Sequence, residues 1–250
     1  MQSHRTYRCH LDWGRHGARE AAERGDIVVI VDTLRFSTTA ITAVHNGALV
    51  YPCALDEDPR AFARQMSATT GKHMVVPEKG RYSLSPVIYM DIEPGTHLVL
   101  ASPNGGACTR AGRLAPYLFI GALVNAEAVA TAVSSLLETQ DLAVTVIACG
   151  ERWKSPGEDG MLRVAIEDYL GAGAILSYIQ EKKSPEAMVA EGAYRSASDN
   201  IEGLLWECES GRELRELGLS DDVSYTARLN LCNTAPVLRG ERLEKFVKGM

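Results

Sequence analysis

A three-layer α/β/α fold, with a largely parallel or mixed central sheet, is what the sequence predicts, and three observations carry the prediction. Short β-branched runs recur through the first 180 residues, beginning with "DIVVIVD" at 26–32. Stretches of helical composition separate them, several closed by a glycine or an Asn-Gly stop signal. Beyond Lys183 the composition turns mainly helical. Alternation of this kind implies mostly parallel strands covered on both faces.

Each element has its own reason. Residues 27–31, "IVVIV", are too apolar for an edge strand facing water and read as a central parallel strand. Residues 37–47 follow as a short helix stopped at Asn46-Gly47, and 48–53 as a second strand. A helix over 57–71, ending at a glycine, leads to a third strand at 72–78. A polar, proline-bearing stretch over 79–95 breaks the rhythm. Strands at 96–102, 117–123 and 142–150 continue it, with Asn125 placed to cap a helix over 126–140. Residues 151–160, "ERWKSPGEDG", read as a loop leading into a long helix from about Met161 to Ile179. The length of 250 residues suits a single α/β domain, with 184–250 either a helical subdomain or a helical cap on the sheet.

Charge narrows the function. A net charge of -6 argues against a nucleic-acid surface, which needs a basic face. The longest purely aliphatic run has five residues, far too few to span a bilayer, so no membrane partner is expected. The first residues lack the apolar core of a signal peptide, and the expected location is cytoplasmic. Six scattered cysteines without a C-x-x-C pair read as buried reduced thiols, not as a zinc or disulfide framework.

In open parallel sheets ligands bind beyond the carboxyl ends of the strands, so the residues found there decide the chemistry. Asp32 and Arg35 follow the first strand, Glu78 the third, and Asn104, Gly105 and Gly106 the fourth. Asn125 follows the fifth, and Glu151 and Arg152 the sixth. Carboxylates at one rim suit a hard divalent cation, while arginine and backbone N–H groups suit oxyanions. That is the equipment of metal-assisted chemistry on a phosphate. Each residue also has a plain structural reading: Asp32 and Asn125 as caps, Arg35 as a surface arginine, Asn104-Gly105 as a favoured turn dipeptide. The turn matches neither G-x-G-x-x-G nor G-x-x-x-x-G-K-[ST]. Its glycines let N–H groups approach an oxyanion closely, which favours a phosphate cradle at this rim.

Glu167 and Asp168 lie in "MLRVAIEDYLGAGAILSYI", apolar on nearly every side. A helix apolar all round is buried, so at least one of these acids needs a cation, a strong hydrogen-bond donor or a proton. Adjacent helical residues point about 100° apart, which gives the two acids different partners.

Several segments together resemble the 2-phosphosulfolactate phosphatase family, the ComB family of coenzyme M biosynthesis. "VDTLRFSTTAITAVHNGA" is similar to its strand-helix signature, and "PNGG" sits where members carry Thr-Asn-Gly-Thr. "GALVNAEAVA", "IACGERW" with "AIEDYLGAGAI", and "SGRELRELGLSDDV" with "APVLRG" match in the same order over about 230 residues. The resemblance implies Mg²⁺-dependent hydrolysis of a phosphate ester on a small sulfonated hydroxy acid, and its segments carry Asp32, Arg35, Glu78, Asn104, Gly105, Asn125, Glu151, Glu167 and Asp168. The chain departs from the pattern at "EKGRYSLSPV", where a Gly-Asn is missing before Ser85, and at Pro103 and Gly106, which replace threonines. These departures fall in the loop expected to contact substrate.

The expectation is therefore a Mg²⁺-dependent phosphatase whose partner is a small phosphorylated molecule. Asp32, Glu78, Glu167 and Asp168 are the expected metal ligands. Asp32, Arg35 and Glu151 are the expected catalytic residues; Asn104, Gly105, Gly106 and Asn125 the expected substrate contacts. A carboxylate acts as general base or as nucleophile. A non-catalytic binder of a phosphorylated or sulfonated metabolite is the reading from another class. The sequence leaves the oligomeric state open, with a homodimer among the options.

Overall fold

The computed structural model describes residues 6–77, 84–157 and 160–248. It opens with β1 (Cys9–Trp13) and α1 (Gly14–Glu23), two elements that the sequence reading did not mark. β2 (Ile27–Val31) is buried along its whole length, and α2 (Phe36–His45), β3 (Leu49–Ala54) and α3 (Pro59–Thr70) follow. The start of α3 is set by Asp58, which accepts from the Arg60 N–H at 2.9 Å, and by Pro59 in the first turn. Gly71, at φ 67°, ends it. β4 is only Met74–Val75. β5 (His97–Ser102), α4 (Gly105–Gly112), β6 (Leu118–Gly121), α5 (Ala126–Leu137) and β7 (Val144–Ala148) complete the alternation.

The structure corrects the sequence reading after β7. The expected loop is a strand, β8 (Glu151–Gly157), paired antiparallel with β9 (Gly160–Arg163) in a separate two-stranded sheet. Residues 160–163 spend backbone groups on that ladder, so the expected helix starts later, as α6 (Ile166–Tyr178). The helices α7 (Pro185–Ala197), α8 (Ile201–Glu207), α9 (Glu209–Glu216) and α10 (Ser220–Thr226) make the C-terminal portion mainly helical. A hairpin then follows that composition did not suggest: β10 (Pro236–Arg239) and β11 (Arg242–Lys245), turning at Gly240.

Among the described residues the main sheet runs β1-β7-β2-β6-β10-β11-β3-β5-β4. The hairpin joins two parallel blocks, pairing Val237 with Phe119 on one side and Leu243 with Val50 on the other. Both contacts lie near the amino ends of β6 and β3, so the carboxyl ends of the blocks are free to converge. They do. β5 is five strands from β2, which in a flat sheet means about 24 Å. Yet the Gly105 N–H, just past β5, lies 2.7 Å from Asp32 Oδ2, just past β2. The sheet is curled, and α2 fills the concave side with residues 36–44 all buried. Its hydroxyls are satisfied internally: Ser37 and Thr38 donate to the Ile30 and Thr33 carbonyls at 3.2 and 2.9 Å.

Alternation along β2 supplies both sides of the core. Ile27, Val29 and Val31 pack among residues of α5 and α6, while Val28 and Ile30 pack among residues of α1, α2 and α4. This is the three-layer arrangement. No helix among the described residues is long and apolar enough to cross a membrane.

Helices α6 and α7 cross closely at Gly173, where an added Cβ would stand 2.2 Å from the Ala190 carbonyl oxygen. Gly173→Ala is expected to cost about 1–3 kcal/mol of stability, read from the urea midpoint. An unchanged midpoint would mean that the two helices separate without penalty.

Candidate active site

The carboxyl ends of β2, β5 and β7 meet through side chains whose placement follows from short local segments. Asp32 stands directly after β2 and caps the approach to α2, accepting from the Phe36 N–H at 3.1 Å through Oδ1. Its Oδ2 accepts from the Gly105 N–H at 2.7 Å and from the Ser102 hydroxyl at 3.3 Å. Asp168, in the first turn of α6, accepts from the Thr33 N–H at 2.7 Å and the Gly150 N–H at 2.8 Å. One carboxylate thus ties the ends of β2 and β7 together. Glu151, the first residue of β8, accepts from the Asn104 amide at 2.9 Å. Glu167 points away from Asp168, as the helical spacing requires, and lies against the Cys208 thiol.

Four acids in one buried neighbourhood repel one another. Burial and the neighbouring carboxylates push Asp168 well above the usual carboxyl range, Asp32 being the strongest of those neighbours. Burial also raises Asp32, although its backbone donors pull the other way. Glu151 is pushed up to about 7, by burial first and Asp32 second. Among the described residues no lysine or arginine forms an ion pair with any of the four. Neutral donors face them instead: backbone N–H groups and the Ser102 hydroxyl for Asp32, backbone N–H groups for Asp168, and the Asn104 amide for Glu151.

Arg35 enters from the other side. Its guanidinium is paired with Asp222 on α10, and the Ser85 hydroxyl donates to the second oxygen of Asp222 at 2.5 Å. Arg35 borders a cavity of about 180 Å³ with Asp32, Ser102, Asn104, Glu151 and Glu213. At ~30 Å³ per water that is room for about six waters. A second cavity, about 220 Å³, shares Pro103, Asn104 and Glu151 as a common wall. A larger depression of about 780 Å³ runs along residues 55–60, and Asp32, Glu151, Glu167 and Asp168 are not among its lining residues.

The structure brings Asp32, Arg35, Asn104 and Glu151 together. It does not bring in Asn125, whose amide is used up on the Ala122 N–H and the Ile120 and Thr234 carbonyls. Asn125 is fully buried and shapes the end of β6 instead of contacting a ligand. The expected phosphate cradle at Gly105 is also corrected, because its N–H is already given to Asp32. The glycines serve packing: a Cβ at Gly105 would meet the Phe36 ring at 2.3 Å, and one at Gly106 the Cys53 carbonyl oxygen at 2.2 Å. Gly106 therefore stands where this backbone excludes the threonine of the family pattern. Glu78 lies outside the described residues.

For a metal the outcome is divided. Among the described residues no three His, Cys, Asp or Glu groups are placed to hold one ion, so Asp32, Glu167 and Asp168 do not form the expected shared site. Neither Glu167 nor Asp168 borders the smaller cavity. Mg²⁺, however, is commonly held by one or two carboxylates with water and substrate oxygens. Asp32 and Glu151, both on the cavity wall and both short of compensating charge, fit that donor set.

Sequence reasoning missed Asp222, which lies 187 residues from Arg35. The available signal was a second acid in "SDDV", next to an apolar residue at a helix start. It also missed Ser37 and Ser102, whose oxygens brace Asp32; nothing local marks them.

A family profile described as 2-phosphosulpholactate phosphatase matches residues 15–241. A probable 2-phosphosulfolactate phosphatase of Carboxydothermus hydrogenoformans is 29% identical over 221 residues, 84% of each chain. The 2-phosphosulfolactate phosphatase of Methanothermobacter thermautotrophicus is 27% identical over 225 residues, 90% of this chain and 92% of its own. The match spans the elements that carry Asp32, Arg35, Asn104, Glu151, Asp168 and Asp222, and this chain belongs to the 2-phosphosulfolactate phosphatase family.

Proposed function

We propose that the protein is a Mg²⁺-dependent phosphatase that hydrolyses 2-phosphosulfolactate, or a closely similar phospho-hydroxy acid, to the hydroxy acid and inorganic phosphate. The observation that carries this reading is Glu151: a carboxyl with a pKa of about 7 on the wall of a small cavity, opposite an arginine. A general base works best when its pKa lies near the working pH. The family membership and the names of the relatives support the reaction class.

In the proposed reaction the Arg35 guanidinium holds phosphoryl oxygens, its direction fixed by Asp222 and, through it, by Ser85. Asn104 fixes Glu151 through one carboxyl oxygen and leaves the other for a water. The water oxygen bonds to phosphorus as the ester P–O bond breaks. Glu151 takes the water's proton and returns it to the departing alkoxide oxygen, so the carboxyl ends each cycle unchanged. Asp32 would hold Mg²⁺ directly and Glu151 only through a water, so that the Glu151 carboxylate stays free to take a proton. The ion would supply positive charge for the phosphoryl oxygens and for the charge that builds up on the leaving oxygen. The electrostatics support the need for it: Asp32, Glu151 and Glu213 line the cavity against Arg35, and a multiply charged anion is repelled by that balance.

Glu151→Gln is expected to lower kcat by about 10²–10⁴. Wild-type kcat/KM should rise with pH through about 7, the Glu151 value, and the variant profile should be flat there. A variant that keeps the wild-type profile removes Glu151 from the chemistry. Phosphate release should stop in EDTA and return with Mg²⁺, and release that persists in EDTA would refute the metal requirement.

The same groups make a stability prediction. Raised pKa values on Asp32, Glu151 and Asp168 mean that the folded chain holds their protons more tightly than the unfolded chain. Their stabilising contribution is complete at acid pH and is lost as pH rises, for Glu151 from its ordinary 4.5 up to about 7. The melting temperature without metal should therefore fall across that window. Mg²⁺ should raise it more at about pH 8 than at about pH 5. Equal shifts at the two pH values would contradict metal binding by these carboxylates.

A further inference from the structure

The two cavities that share Asn104 and Glu151 differ in charge. The smaller is lined by Asp32, Glu151, Glu213 and Arg35, the larger by Arg15, His16 and Arg152 with Glu151. The basic side chains of the larger cavity are mostly uncommitted. Arg15 gives one guanidinium nitrogen to Asp56 at 3.1 Å and another to the Pro103 carbonyl at 3.2 Å, which draws it to the turn that carries Asn104. Arg152 and His16 are exposed and make no hydrogen bond or ion pair among the described residues. Among the described residues no partner accounts for these two donor side chains at the mouth of a cavity whose wall includes Glu151.

We propose that this basic cavity takes a second anionic group of the substrate, a sulfonate or carboxylate a few bonds from the phosphate ester, while the phosphoryl group lies on the Asp32–Arg35 side. The inference rests on the phosphatase reading and adds the part of the site that selects the substrate. Arg35 is already paired with Asp222, so it has no charge to spare for two anionic groups. A substrate with an anion at each end needs a second set of donors, and the shared wall of Pro103, Asn104 and Glu151 places one a few bonds away. The planar fork of Arg152 suits the oxygens of a sulfonate or a carboxylate, and binding it breaks no ion pair among the described residues.

The test uses Arg152→Ala and the double variant His16→Ala/Arg152→Ala, both at exposed positions where little effect on folding is expected. Calorimetry with 3-sulfolactate, which lacks phosphate, should give a Kd at least about tenfold weaker in the double variant than in wild type. The Kd for inorganic phosphate should change by less than about threefold. The kcat/KM ratio of 2-phosphosulfolactate to ethyl phosphate, which has no second anion, should fall at least about tenfold. Loss of phosphate binding with sulfolactate binding intact would reverse the two cavities and overturn the proposal. So would an unchanged ratio, or sulfolactate that does not bind the wild type. Turnover with an unchanged ratio would leave the phosphatase standing without this subsite. Arg152-dependent sulfolactate binding without release of phosphate from any ester would leave the subsite standing and end the phosphatase reading.

Discussion

The hydrogen bond from the Gly105 N–H to Asp32 closes a sheet that would otherwise hold those residues far apart. Everything at the site follows from that closure. It requires α4 to start against the Phe36 ring, which leaves no room for a side chain at Gly105. It brings Asn104 within reach of Glu151, and so brings β5 to the start of β8. It also requires α2 to be swallowed whole, and α2 can be buried because its serines and threonines turn their hydroxyls onto nearby carbonyls. The strand-end carboxylates are structural first, holding segments by backbone N–H groups.

That structural work has an electrostatic cost. Asp32 and Asp168 are bound by dipoles, not by full positive charges, and they sit near Glu151 and Glu167. Burial first, and the charge of neighbouring Asp32 second, lift Glu151 from an ordinary carboxyl to one that titrates near neutrality. The clamp and the reactive group are therefore one electrostatic system: a carboxylate that orders the backbone also tunes its neighbour.

The parts legible in the sequence were those set by local pattern. β2, α2, α5 and the body of α6, though not its start, announce themselves by runs, caps and periodicity, and Asp32, Arg35, Asn104 and Glu151 could be placed at a rim because they directly follow strands. What could not be read depends on pairing across long separations. Glu151 to Gly157 has the composition of a loop and becomes a strand only because residues 160–163 pair with it. Asp222 reaches Arg35 only after 187 residues have folded between them. The Asn-Gly-Gly turn looked like an anion cradle because glycine allows close approach; the approach is real, but the partner is the protein's own backbone and Asp32. Asn125 looked like a strand-end ligand, and its amide is consumed within the turn it shapes.

The late hairpin carries a consequence for how the molecule is made. β10 and β11 follow every other strand in the chain, yet they occupy the middle of the sheet. Until they arrive, β6 and β3 each present an open edge, and the two parallel blocks have no strand between them. Open edges of this kind invite pairing with other chains. A nascent chain must therefore keep two half-sheets apart and soluble until residues 236–245 emerge. The curl that assembles the cavity is then among the last events of folding, and an interrupted chain would lack the geometry of its site even with every acid in place.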